Sequence, residues 1–348
     1  MSEREPTHEA MVEDDAALIR SGLTARRRRL SRLVEDHELP LFTKLLGEVD
    51  QALERFDHGE LGRCEVCHGL VEPDRLVRDS SLEICLDCMS PRERRALERD
   101  LELAAQIQAG LLPERDLTHG AWDLHLHWQP LGAVSGDYAD VLRSGPSGED
   151  VLVLVGDVSG KGVAAALLMS HLHAVFRGMA GQGMALVEVV QRANRLFKSV
   201  TPENAFATLA AVRLTACGDV EVVSAGHTPP LVVRSGGVEA LAPDGLPLGV
   251  LPDARYSSKT LELGPRDGVL LYTDGLTEST APDGQELGVS PLQRLVSSRD
   301  DWTPRELVRA CVDEAEWFRR GGPLSDDLTL LAVQRRKGGP DRPSARVC

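Results

Sequence analysis

The chain has 348 residues, of which 42% are apolar and 27% charged, a soluble globular composition long enough for about two domains. Its formal net charge of −15 speaks against broad, non-specific nucleic-acid binding, which needs a positive footprint. No apolar run approaches the roughly 18 residues of a membrane span, and the polar, acidic stretch from Met1 to Met11 carries no signal-peptide pattern.

In chain order, residues 1–58 read as a helical arm, dense in charge and without strand alternation. The four arginines Arg26 to Arg29 read as a solvated helix face, and Pro40 breaks or restarts the helix. A compact cysteine module follows at 59–89. A linker helix over 90–113 has strong punctuation: Ser90 as N-cap, Pro91 at the first helical position and Glu93 completing a capping box. Leu97, Leu101, Ala104 and Leu111 follow an a/d-like spacing, interrupted by polar Gln108. This suggests either a helix packed on its own domain or a homodimer or signal-transmitting element formed by helix 90–112. From 114 to 336 the texture is mixed. Trp122, Leu124, Leu126 and Trp128 alternate with polar residues, so His125 and His127 read as the wet side of a half-buried strand. Val151 to Val155 is a continuous apolar strand. Helices are expected at 162–178 and 183–200, and strands near 205–214, 219–225, 230–234, 258–263 and 268–273. Thr303, Pro304 and Glu306 open a last helix, and Leu328 to Val333 forms a closing strand. Many strands with clustered helices suggest α+β layers rather than a βαβ repeat. The tail 337–348, rich in Gly, Pro and charge, reads as disordered.

Cys64-x2-Cys67 followed by Cys85-x2-Cys88 is a strong pattern for tetrahedral Zn²⁺. Four thiolates leave no open position for water, so the role is structural. Cys217, Cys311 and Cys348 are left over with no pairing framework, which fits a reducing cytoplasm. The stretch from Asp50 through Gly59 and Gly62 to Cys67, with Arg75 and Leu76, resembles the DksA/TraR-type zinc finger. That resemblance implies a helical arm on the finger. Some members of that family act on RNA polymerase through a D-x-x-D-x-A tip. This chain lacks that tip, so the finger reads as a reused scaffold or a sensor input.

The second half carries scattered acids in short Gly-rich words: S-G-D at Asp137, G-D-V-S-G-K-G at Asp157, Y-T-D-G at Asp274 and D-D-L-T at Asp326. Dispersed carboxylates at strand ends are what a hard cation needs, and two such ions can clamp a phosphate ester. If the strand after Asp326 runs antiparallel to one of the strands that end at Asp157 and Asp274, its start lies beside their ends, and the acids reach one sheet edge. The string around Lys161 is no P-loop, since its glycine spacing is short and no Ser or Thr follows the lysine.

These words, with Ala104 to Pro113, Val134 to Asp140, Ser224 to Leu231, Leu246 to Gly249 and Ser325 to Thr329, resemble the SpoIIE/RsbU-like branch of the metal-dependent protein phosphatases, the PPM or protein phosphatase 2C superfamily. The resemblance implies an α–β–β–α sandwich with a binuclear Mn²⁺ or Mg²⁺ centre. By motif, Asp157 bridges the ions, Val158 offers its carbonyl, Asp274 and Asp326 bind opposite, and Asp137 lies in or beside the ligand set. It further implies a protein serine/threonine phosphatase in which water activated at the ions attacks phosphorus in line, with no nucleophilic Cys or Ser. The implied substrate is a phosphorylated STAS-domain anti-anti-sigma protein in a partner-switching pathway. Ser135 stands where the usual motif has glycine, and Ala139 where it has an aromatic. Asp140, Asp327 and His227 read as structural neighbours. The competing reading is a non-catalytic transcription regulator that binds RNA polymerase or a sigma-pathway partner through the zinc module.

Overall fold

A computed structural model of the chain describes residues 8–37, 39–58, 61–68, 71, 72, 75, 76, 82–145, 148–202 and 205–337. Gly59 and the tail from residue 338 on, both part of the expectations above, lie outside the described residues. The chain divides into two compact units, Met1–Leu103 and Ala104–Cys348.

In the first unit, helices α1 (His8–Asp36) and α2 (Pro40–Asp57) pack on each other. Pro40 sits at the start of α2, where its missing N–H costs nothing. Arg27 of the arginine run donates to Asp50 across the pair at 2.6 Å. Ile19 and Leu23 join Leu61, Cys64, Val71, Leu76 and Cys85 in one small core, so the helical pair and the cysteine module share their buried surface. A 3₁₀ turn, Leu86–Cys88, closes the module. Helix α3 (Pro91–Leu111) then begins at the expected box: Glu93 N–H donates to Ser90 Oγ, and Ser90 N–H to Glu93 Oε2.

The second unit contains strands β1 (Asp116–His119), β2 (Trp122–Gln129), β3 (Asp137–Ser144) and β4 (Asp150–Val158), then helices α4 (Gly162–Met179) and α5 (Leu186–Val200). Strands β5 (Ala207–Leu214), β6 (Asp219–Ala225), β7 (Leu231–Arg234), β8 (Gly237–Ala240), β9 (Lys259–Glu262) and β10 (Gly268–Tyr272) follow. The short helix α6 (Asp274–Thr277), α7 (Val289–Ser297), α8 (Pro304–Arg319) and β11 (Leu328–Arg335) complete it. Two antiparallel sheets result, one ordered β1-β2-β11-β10-β7-β8 and the other β3-β4-β5-β6-β9.

Side-chain alternation assigns the layers. Val151, Val153 and Val155 of β4 face the other sheet, where they meet Leu124, Leu126, Leu271 and Leu331. Leu152 and Leu154, between them, face α4 and α5 and pack with Met169, Phe176 and Phe197. On the far side, Leu270, Tyr272, Leu330 and Ala332 meet Leu292, Leu307 and Cys311 of α7 and α8. The result is an α–β–β–α stack, and the unbroken apolar run of β4 is what a strand covered on both faces requires. The outer face of β2 is covered too: α8 packs on it. His127 is therefore half-buried rather than wet, and burial pulls its pKa below the usual value. His125 pairs with Asp116 at 2.7 Å.

The two strands that end and begin at acids lie side by side, with Tyr272 opposite Leu330. Just beyond, a Cβ on Gly275 would overlap the carbonyl oxygen of Asp327, so only glycine lets the backbones approach here. Gly275→Ala is expected to lose about 1–3 kcal/mol through overpacking. Urea unfolding checks this, and a variant as stable as its parent would contradict the close approach.

Candidate functional site

The acids come together through strand register. Asp137, the first residue of β3, is the cross-strand partner of Asp157 near the end of β4. Asp274 opens α6 directly after β10, and Asp326 and Asp327 immediately precede β11, which pairs with β10. The two sheets are joined at this end by hydroxyls. Thr273 Oγ1 donates to Asp137 Oδ2 at 2.9 Å, and Thr329 Oγ1 donates to the same oxygen. Thr273 Oγ1 in turn accepts from Thr329 N–H at 3.0 Å. Asp137 belongs to one sheet, while Thr273 and Thr329 border β10 and β11 of the other, so this junction sets the spacing between the sheets.

Asp137 is only 1% exposed. Burial drives its pKa well above the usual carboxylate range, and the charges of Asp327, Asp157 and Asp274 push the same way. Asp327 is raised by burial and by Asp326. Its carboxylate accepts from Leu131 N–H at 2.6 Å and Gly136 N–H at 2.9 Å, which shapes the loop ahead of β3. Asp326 is approached by Lys161 Nζ at 3.3 Å, and the same ammonium donates to Ser325 O at 3.1 Å. A Cβ on Gly136 would stand 3.0 Å from the carbonyl oxygen of Val158 and 3.4 Å from Asp157 Oδ1. Gly136 therefore leaves room beside both.

This donor set suits hard divalent cations: carboxylates and a backbone carbonyl, all oxygen, gathered around buried Asp137, whose pKa burial and the neighbouring charges raise. Among the described residues only the cysteine set brings three or more ligand atoms within 4.8 Å of one another, so the acids stand at a wider spacing. Asp157 and Asp274 would hold ions from opposite sheets, joined by Val158 O and Asp326, with Asp137 between them.

Asp140 and His227 support rather than line the edge. Buried Asp140 accepts from Arg177 Nε at 2.8 Å and lies 3.0 Å from His173 Nδ1, and Arg177 also donates to Leu111 O at the end of α3. His227 is buried and pairs with Thr208 Oγ1 at 2.8 Å, and Thr208 lies opposite Asp157. Ser135, in place of the usual glycine, is integrated: its Oγ accepts from Asp137 N–H at 3.0 Å.

Sequence reasoning passed over four residues. Thr273 and Thr329 were legible as the hydroxyls beside the acids in T-D-G and D-L-T. Lys161 was weighed only as part of a P-loop. Gln108, read as an interruption, is the most buried position of α3 at 2% exposure. Its Nε2 donates to Ser135 O at 2.7 Å, and its Oε1 accepts from Ser135 N–H at 2.9 Å.

In the first unit, the sulfurs of Cys64, Cys67, Cys85 and Cys88 lie within 4.8 Å of one another, and Cys67 Sγ is 3.6 Å from Cys85 Sγ. Zn–S bonds of about 2.3 Å in a tetrahedron give an edge of roughly 3.8 Å, so the set fits zinc. Backbone hydrogen bonds from Cys85 and Cys67 lower the Cys64 thiol to about 6, whereas burial raises Cys85 and the sulfurs of Cys67 and Cys85 raise Cys88. Glu72 braces the second pair, accepting from Leu86 N–H at 2.6 Å and from Arg75 at 2.8 Å.

The raised Asp137 carboxyl makes a signed prediction. Its folded pKa lies above the unfolded value, so its stabilising contribution is complete at low pH and lost as pH rises through the folded pKa. In metal-depleted buffer, the melting temperature should fall as pH rises above the ordinary carboxylate pKa of about 4, and Asp137→Asn should flatten that slope. Equal slopes in both proteins would refute the assignment.

The chain is similar to several known proteins. The chain is 25% identical over 266 residues to Protein IcfG of Synechocystis sp., covering 68% of this chain and 41% of IcfG. It is 26% identical over 185 residues to phosphoserine phosphatase RsbP of Bacillus subtilis, covering 51% of this chain and 45% of RsbP. The chain thus spans less than half the length of these two curated relatives. The crystal structure of the RsbU and RsbW domains of Rv1364c from Mycobacterium tuberculosis superposes with a TM-score of 0.54 at 31% identity, covering 64% of this chain and 63% of that one. The pattern of the family Stage II sporulation protein E (SpoIIE) matches residues 147–336, more than half of the chain, and the chain therefore belongs to the SpoIIE family.

Proposed function

We propose that the chain is a divalent-metal-dependent protein serine/threonine phosphatase whose substrate is a phosphorylated STAS-domain protein of a partner-switching, sigma-regulating pathway. The observation that carries the catalytic part is the junction at which Asp137 meets Asp157 by register and Thr273 and Thr329 by hydrogen bonds. The substrate class is supported by the relative named a phosphoserine phosphatase and by the neighbour whose structure contains RsbU and RsbW domains. The thiol cluster fits a reducing compartment, whereas Cys217 is disulfide-bonded, against the expectation that it is left over without pairing; no described helix is long and apolar enough to cross a membrane.

Asp157, Val158, Asp274 and Asp326, with Asp137, are the residues that would hold Mn²⁺ or Mg²⁺. Bound there, such ions lower the pKa of water and offset charge on the phosphoryl oxygens. The chain's own part is positional. Thr273 and Thr329 fix the Asp137 carboxylate, Gly136 keeps the space beside Asp157 open, and Asp327 ties the loop ahead of β3 to the start of β11. Asp157→Asn and Asp274→Asn should each lower manganese-dependent turnover of para-nitrophenyl phosphate at least on the order of a hundredfold. Undiminished turnover in either variant would refute the mechanism. A panel of phosphorylated STAS domains, assayed for manganese-dependent phosphate release, tests the substrate class.

The N-terminal region regulates this site through α3. Support comes from the helix itself, which carries the chain from the zinc module to Gln108 and Leu111, and from the bonds of those two residues to Ser135 and Arg177. Leu103 and Ile107 are exposed one turn apart on α3, which suits a homodimer along that helix. Deleting residues 1–89 should change basal activity or the manganese concentration for half-maximal activity. Identical values for the truncated and full chains would remove the coupling.

A further inference from the structure

Helices α4 and α5 cover the outer face of the five-stranded sheet, and both leave apolar residues uncovered at the same end. On α4, Val163 and Leu167 are 48% and 66% exposed; on α5, Leu196 and Val200 are 44% and 57% exposed. Their neighbours Ala165, Ala166, Ala193 and Phe197 are buried, so both helices are firmly seated there. The helices are neighbours joined by a short connection at 180–185, which makes them antiparallel. The rings of His171 and Phe197 stack across the seam at 6.4 Å. One turn back from His171 on α4 is Leu167, and one turn on from Phe197 on α5 is Val200. Antiparallel geometry sets these two on the same stretch of the seam.

That stretch lies at the end of the sandwich where the acids gather. Helix α4 starts five residues after Asp157. Helix α5 runs through residues 201–206 into β5, whose Ala207 is the partner of Val158. Ser159 N–H donates to Phe206 O at 2.8 Å, and Phe206 N–H donates to Ser159 Oγ at 2.9 Å, which binds the two approaches together. The charge is also distinctive. In a chain of net charge −15, α4 contains no acid and α5 only Glu188 in its first turn, at the other end, while Arg195 and Lys198 lie toward the end that carries Leu196 and Val200.

We propose that this apolar seam with its basic border is the docking surface for the phosphoprotein substrate. The face of that partner beside its phosphorylated residue combines an apolar patch with an acidic rim. The proposal rests on the phosphatase reading above and adds the surface that selects the substrate. A phosphorylated side chain offers little area of its own, so discrimination between phosphoproteins must come from the surface next to it, with an apolar centre supplying affinity and the charged rim steering encounter.

Leu167→Glu and Val200→Glu in the full chain test it, with two readouts: manganese-dependent hydrolysis of para-nitrophenyl phosphate, and kcat/KM on the phosphorylated STAS domain turned over fastest in the panel. Each variant should lose at least about tenfold on the phosphoprotein while staying within about twofold of the parent on the aryl phosphate. If a glutamate variant loses both activities, the milder double variant Leu167→Ala with Val200→Ala decides. A loss confined to the phosphoprotein supports the surface, and parental values on both substrates overturn it. A glutamate variant that converts a dimer to a monomer in light scattering, with phosphoprotein turnover intact, assigns the surface to a second copy and also overturns it. If the parent cleaves the aryl phosphate but no member of the panel, the named occupant is wrong. If the parent cleaves neither, the phosphatase reading fails and this surface falls with it.

Discussion

The second unit is organised by an electrostatic conflict. A buried carboxylate without a counter-charge is costly, and several together are worse. The fold nonetheless brings Asp137, Asp157, Asp274, Asp326 and Asp327 to one edge. It holds them with groups that donate to carboxylates, namely Thr273, Thr329, Lys161 and the amides of Leu131 and Gly136. These contacts fix where the carboxylates sit. Divalent cations bound at such an edge would stabilise the folded chain.

The rest of the unit makes that edge rigid. Three apolar layers, one between the sheets and one beneath each helical pair, fix the separation and register of β3, β4, β10 and β11. A one-residue slip between β3 and β4 would part Asp137 from Asp157 and turn Val151, Val153 and Val155 from one core to the other. The same hydrophobic pattern therefore stabilises the fold and aligns the acids.

How much of this was legible depended on whether burial left a periodic trace. Val151 to Val155, Val269 to Tyr272 and Leu328 to Val333 are apolar on both faces and read as strands at once. Strand β3 did not, because Asp137 and Asp140 interrupt its pattern; the second is tolerated inside only because Arg177 and His173 meet it. The short strands β1 and β8 and the helix α7 left too few residues for a period. The polar face of β2 suggested solvent, whereas α8 covers it, since alternation shows that two faces differ but not what lies against the second. The acids were legible from their glycine-flanked words. The side chains that orient them were less so, because a threonine or glutamine has no sequence signature apart from its neighbour. Gln108 is the clearest case: a polar residue on an apolar stripe read as a defect and is the stripe's most deeply seated member.

The paired bonds of Gln108 to both backbone groups of Ser135 have a mechanical consequence. An apolar stripe can slide by fractions of an ångström with little change in energy, but a two-point polar latch has a single matched position. A shift of α3 along its bed would have to break both bonds of Gln108 to Ser135. Any message reaching Ser135 along this helix would arrive as a step rather than a gradient, and the sharpness of that step would be set by one amide side chain.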